Sequence, residues 1–214
     1  AFTTSAFTNV QENQVVAGTA AATDADSDSL TFTLAGAGAD NALFNITCGG
    51  AITFKSAPDF ETPLGGSSNN SNTYEITVNV NDGSVDVVQA HTIAVINANE
   101  APVITTTSFG SIAEEQTAVG SLAVTDDAGD SITFTVTGGV DSDKFAVSGS
   151  TLAFDGFTPN FESPTGGSGN NSNTYEVQIT ATDGGSLTDV ETVSVTVVNA
   201  NEAPAITSAS TANF

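Results

Sequence analysis

Apolar and polar residues alternate along much of the chain. Leu30, Phe32 and Leu34 are spaced by threonines, and Tyr74, Ile76, Val78 and Val80 keep the same step, followed by Ile93 and Val95. The pattern returns as Ile132, Phe134 and Val136, then Tyr175, Val177 and Ile179, then Val193, Val195 and Val197. A period of two puts one face of each strand in a core and the other in water, the habit of antiparallel sheets. Clusters of Gly, Asn, Ser and Asp separate the runs and read as turns. Tyr74 and Tyr175 open their strands in the inward phase and are expected to be core anchors. His91 lies in the same phase, aligned with Val193, and is expected to be a partly buried histidine at a strand end.

The pattern repeats because the sequence repeats. NANEAP occurs at 97–102 and at 199–204, and DFETPLGGSSNNSNTYEITV at 59–78 returns as NFESPTGGSGNNSNTYEVQI at 160–179. TDADSDSLTFTL at 23–34 returns as TDDAGDSITFTV at 125–136. Two units follow, 1–102 and 103–204, with 205–214 matching the start of each and expected to be the first strand of a third. Self-similarity at such a period marks an array of domains. The chain is therefore expected to be part of a longer array. About seven short strands in roughly 100 residues predict a two-sheet sandwich with Greek-key connections. The polar GGSSNNSN and GGSGNNSN loops are expected to be solvated.

Composition sharpens this picture. The 214 residues include 32 Thr against seven Leu, a balance that favours strands over helices. There are 25 Asp and Glu against two Lys and no Arg, for a net charge of −23. Phosphate neutralisation needs Lys and Arg, so nucleic acid is excluded as a partner, as is docking on anionic lipid. No apolar run reaches the roughly 18 residues of a membrane helix, so direct insertion is not expected. The single cysteine, Cys48, has no internal partner for a disulfide. With one histidine, a serine or cysteine triad is hard to assemble. Paired carboxylates can hydrolyse glycosides, but there is no Trp and both Tyr point inward, so no enzyme is expected.

The acids recur where strands end. Carboxylates gathered from several loops at one pole of a sandwich repel one another, and a hard divalent cation removes that cost. Calcium takes six to eight oxygens from carboxylates, amide carbonyls and water. The Asp24–Asp28 segment is not a calcium loop on its own, because an EF-hand would need Gly and Glu where Ser29 and Ala35 stand. The ligands must come from separated segments.

Taken in order, these pieces resemble cadherin repeats in their bacterial cadherin-like form. The match rests on Glu12 and Glu114 near the first strands, on Asp24-Ala-Asp26, and on Asp59-Phe-Glu61 and Asn160-Phe-Glu162. It continues through Asp82 and Asp183 before Gly, to the Asn-rich linkers ending in Ala-Pro. The resemblance covers essentially the whole chain. It implies an all-β chain of two tandem Greek-key β-sandwiches, immunoglobulin-like and cadherin-like, with a short linker. It also implies calcium between successive repeats, held at one complete junction by Glu12, Asp59, Glu61, Asn97, Asn99, Glu100, Asp126 and Asp183. Outer half-sites at Asp24, Asp26 and Asp82, and at Glu114, Glu162, Asn199, Asn201 and Glu202, would await further repeats. The second copy departs from the pattern: Asp126-Asp-Ala128 lacks the second carboxylate, which Asp130 could replace, and Asn160 stands for Asp59. The implied protein is extracellular or on the cell surface, a calcium-stiffened spacer or stalk in an adhesion protein. Its implied partners are neighbouring repeats, and like molecules or another surface protein or glycan. Two alternatives are a subunit of a self-assembling surface filament or layer, built through 205–214, and a carbohydrate-binding module.

Overall fold

The computed structural model describes residues 1–4, 6–36, 38–64, 71–127, 129–167 and 171–204. Residues 205–214, the expected start of a third repeat, and most of the two GGSxNN loops lie outside them. The chain divides into two compact units, Ala1–Asn99 and Glu100–Phe214.

Unit 1 holds β1 (Val10–Gln11), β2 (Val16–Thr19), β3 (Thr31–Leu34), β4 (Phe44–Ile46), β5 (Ala51–Phe54), β6 (Thr73–Asn81) and β7 (Asp86–Ile96). One sheet runs β1-β7-β6-β3 and the other β2-β5-β4. Unit 2 holds β8 (Val103–Ile104), β9 (Ser108–Ala113), β10 (Ala118–Ser121), β11 (Val124–Thr125) and β12 (Thr133–Gly138), then β13 (Phe145–Ser148), β14 (Thr151–Phe154), β15 (Thr174–Thr182) and β16 (Thr188–Val198). Its sheets run β12-β15-β16-β9 and β10-β14-β13, with β8 paired to β11. Both units are thus all-β, with two main sheets enclosing one core.

The inward positions are those the alternation marks. Ile76, Val78 and Ile93 are fully buried in unit 1, as are Val177, Ile179 and Val193 in unit 2. Tyr74 packs edge-on against Phe54 and Phe44, ring centroids 5.2 and 5.9 Å away. Tyr175 meets Phe154 at 5.2 Å in the same way. Unit 2 adds Phe157, which packs on both Phe154 and Tyr175, at 5.5 and 5.6 Å. In unit 1 the equivalent place, beside Phe54, Ala57 and Tyr74, is a cavity of about 90 Å³.

One feature differs from the antiparallel expectation. β1 runs parallel to β7, pairing Val10 with Val95, and β9 runs parallel to β16. Alternation reports which face is buried and carries no information on strand direction. The early segments are held by aromatic contacts as well. Phe7 lies over Gly18, where a Cβ would stand 2.6 Å from the ring, and Phe109 lies likewise over Gly120 at 2.7 Å. His91 is more deeply buried than expected, at 5% exposure. It is wedged between Phe2 and Phe7, with ring centroids 5.7 and 5.1 Å away.

Two acids absent from the sequence reading support the frame. Asp40 accepts the Glu75 N–H (2.7 Å) and Asp141 accepts the Glu176 N–H (2.9 Å), tying the turn before β4 or β13 to the long hairpin. Both carboxylates are buried, at 5% and 1% exposure. Among the described residues, no helix is long and apolar enough to cross a membrane.

Candidate metal centres

In unit 1, Glu12 follows β1 directly and is 2% exposed. A buried carboxylate needs donors, and Glu12 has two from distant segments. Its Oε2 accepts the Phe60 N–H (2.7 Å) and its Oε1 accepts the Ala98 N–H (2.8 Å). Glu12 thereby fastens the Asp59–Glu61 segment and the linker to the end of β1. Asp59 accepts the Thr62 hydroxyl (2.6 Å) and the Thr62 N–H (2.7 Å), which hold its carboxyl below the usual range. Glu61 Oε1 accepts the Asn97 side-chain amide (2.8 Å). Each of Glu12, Asp59 and Glu61 offers one oxygen, all lying within 4.8 Å of one another.

Unit 2 repeats the arrangement. Glu114, also 2% exposed, accepts the Phe161 N–H (2.7 Å) and the Ala200 N–H (2.8 Å). Those two bonds hold its carboxyl below the usual range. The Asn199 amide donates to Glu162. Asn160 uses its side-chain oxygen as Asp59 does, accepting the Ser163 N–H (2.7 Å). The third carboxylate of this group is Glu202, which joins Glu114 and Glu162 within 4.8 Å. The charges of Glu114 and Glu162 push the Glu202 carboxyl up.

At another set of strand ends in unit 2, Asp126, Asp130 and Asp183 form a third group within 4.8 Å. Asp183 is buried and accepts the Leu187 N–H (2.8 Å). Both carboxylate oxygens of Asp126 are buried, and neither has a hydrogen-bond partner among the described residues. Desolvation pushes its carboxyl up, with the charges of Asp130 and Asp183 adding to it; the Asp127 backbone N–H opposes this without reaching hydrogen-bond geometry. Asp130, two places beyond the break in the D-x-D segment, is the residue that brings a further carboxylate to this group. Asp127 turns to the linker instead, where its Oδ2 accepts the Glu100 N–H (3.1 Å).

The corresponding acids of unit 1 behave differently. Asp24 spends its Oδ1 on the N–H groups of Asp26 (2.9 Å) and Asp28 (3.2 Å). Asp82 accepts the N–H groups of Val85 (2.7 Å) and Ser84 (2.8 Å), which hold its carboxyl low. Asp24 and Asp82 line one small cavity with Thr23 and Leu30. Asp24, Asp26 and Asp82 are not among the described three-carboxylate groups. Asn99 and Asn201 are exposed.

The donor set is all oxygen. Two oxygens on one calcium at about 2.4 Å stand at most about 4.8 Å apart, which the three groups satisfy. Soft or tetrahedral metals, which favour Cys and His, find no such ligands here.

The architecture decides the comparison. Human protocadherin-24 EC1-2 superposes with a TM-score of 0.60 at 22% identity, over 92% of this chain and 98% of that one. The fold is that of tandem cadherin repeats. Drosophila N-cadherin EC1-4 gives a TM-score of 0.60 at 14% identity, over 88% of this chain and 48% of that one. Mouse cadherin-23 EC22-24 gives 0.55 at 20%, over 93% and 64%. No family model matches the sequence, and no curated protein sequence matches it. The cadherin-fold assignment therefore comes from shape, and the chemistry rests on the residues described above.

Proposed function

We propose that the chain is a calcium-binding extracellular repeat module, a calcium-stiffened spacer in a cell-surface adhesion protein. The observation that carries this reading is Asp126. Among the described residues no donor reaches its two buried oxygens, and such a carboxylate, set beside two further carboxylates, is unfavourable unless a cation completes it. The two groups anchored on Glu12 and Glu114 support the same chemistry, since each leaves oxygens beyond those spent on backbone N–H groups. Bound ions would fix the linker residues Asn97, Asn99 and Glu100 in one geometry and so stiffen an array of such repeats.

Extracellular calcium modules bind at roughly 10⁻⁴–10⁻³ M. At about 1 mM calcium, the tighter end of that range stabilises by about 1.4 kcal/mol per site. This is modest for a fold and sufficient to hold a linker in one state most of the time. The test is a calcium titration followed by thermal unfolding and small-angle scattering. Calcium should raise Tm and narrow the distribution of particle lengths. Glu61→Ala and Glu100→Ala should weaken binding while both sandwiches stay folded. Unchanged affinity in both variants would refute the ligand assignment, and no calcium response in the native chain would refute the function.

The carbohydrate reading lacks a stacking surface, since no aromatic residue is exposed among the described residues. The filament reading depends on 205–214, outside the described residues.

A further inference from the structure

Asn72 and Asn173 occupy the same place in the two units, one residue before β6 and before β15. Each is anchored in a sheet by its own backbone. The Asn72 carbonyl accepts the Val95 N–H (2.8 Å), and the Asn173 carbonyl accepts the Val197 N–H (2.7 Å). The side chains reach away from the sheet. Asn72 Nδ2 donates to the Phe60 carbonyl (2.8 Å) and Asn173 Nδ2 donates to the Phe161 carbonyl (3.0 Å).

Phe60 stands between Asp59 and Glu61, two of the three carboxylates of the first group. Its N–H is taken by Glu12 and its carbonyl by Asn72, so both backbone polar groups of this one residue are clamped by side chains from elsewhere. The backbone at Phe60 sets the angle between its two flanking carboxylates. Phe161 is clamped in the same way by Glu114 and Asn173. In both asparagines the Oδ1 is buried with no hydrogen-bond partner among the described residues. An acceptor left orphaned costs free energy, so against the described residues alone the amide does more for the Phe60 and Phe161 carbonyls than for its own hydrogen bonding.

We propose that Asn72 and Asn173 are positioning residues for the cation, holding the Asp59–Glu61 segment and the Asn160–Glu162 segment in ligating geometry without touching the metal. The inference rests on the calcium reading above. Partners that orient metal ligands typically contribute 10–100-fold to affinity. The experiment uses the full chain and its single variants Asn72→Ala, Asn72→Leu and Asn173→Ala. Calcium affinity is read by calorimetry, and Tm is measured in chelator and in millimolar calcium. Each variant is expected to bind at least tenfold more weakly at its own group and to lose part of the rise in Tm that calcium gives, with Tm in chelator changing less. A purely structural role would lower Tm equally in both conditions and leave the affinity of the folded variant unchanged, and that result would overturn the proposal. Asn72→Leu fills the space and removes the orphaned oxygen, and Asn173→Ala tests the second unit independently, so one variant failing to fold leaves the test intact. A native chain that ignores calcium would instead sink the underlying function, and this inference with it.

Discussion

His91 makes the stability of unit 1 dependent on pH in a way that unit 2 cannot share. Its ring is 5% exposed, between Phe2 and Phe7, and neither nitrogen has a hydrogen-bond partner among the described residues. Burial pushes its pKa below the ordinary value of 6.5. The folded chain therefore holds it neutral in a range where the unfolded chain takes up a proton. Stability is then full above pH 6.5 and falls as the pH drops below it, until the folded-state pKa is reached. The limiting slope is about 1.4 kcal/mol per pH unit. If the native state takes up no proton, the loss is about 1.4 kcal/mol at pH 5.5. Urea unfolding at pH 7.5, 6.5 and 5.5 reads it. His91→Val installs the residue found at the aligned place in unit 2, Val193, and cancels the contribution of the carboxylates by difference. The native chain should lose stability relative to the variant between pH 6.5 and 5.5. Parallel pH profiles would show that the ring is solvated and that the argument from burial is wrong.

Two further outcomes follow from the same geometry. Asp126→Asn removes a charge that burial and its neighbours disfavour, so it should raise Tm in chelator while weakening calcium binding. A lower Tm in chelator would contradict the repulsion argument. Ala57→Phe should place a ring in the 90 Å³ cavity beside Phe54 and Tyr74 and stabilise unit 1 by about 1 kcal/mol. Urea midpoints check it, and no gain would mean the cavity does not accept a ring as the Phe157 site does.

Much of the frame was legible because burial leaves a period of two in the sequence. Tyr74, Ile76 and Val78 betray their sheet without knowing its partners. Duplication made the acidic positions visible, since Glu12 and Glu114 keep their 86-residue spacing from Ala98 and Ala200 in the two linkers. Other features were hidden for physical reasons. That Asp127 would accept the Glu100 N–H was not visible, because the bond joins segments 27 residues apart. Asn72, Asp40 and Asp141 act on backbone groups 12 to 35 residues away, and nothing beside them in the chain marks the bond. Strand direction left no trace either, so the parallel pairs came only with the fold.

Those parallel pairs bear on how a tethered module answers tension. β1 lies near the entry of its unit and β7 near the exit, side by side and pointing the same way. Pulling the ends apart drags such neighbours past each other, so their hydrogen bonds must yield together instead of opening one by one. Among the described residues, the seam in unit 2 spans five residue pairs against two in unit 1. A stalk made of such bodies would give first at its shorter seam, shielding the longer one.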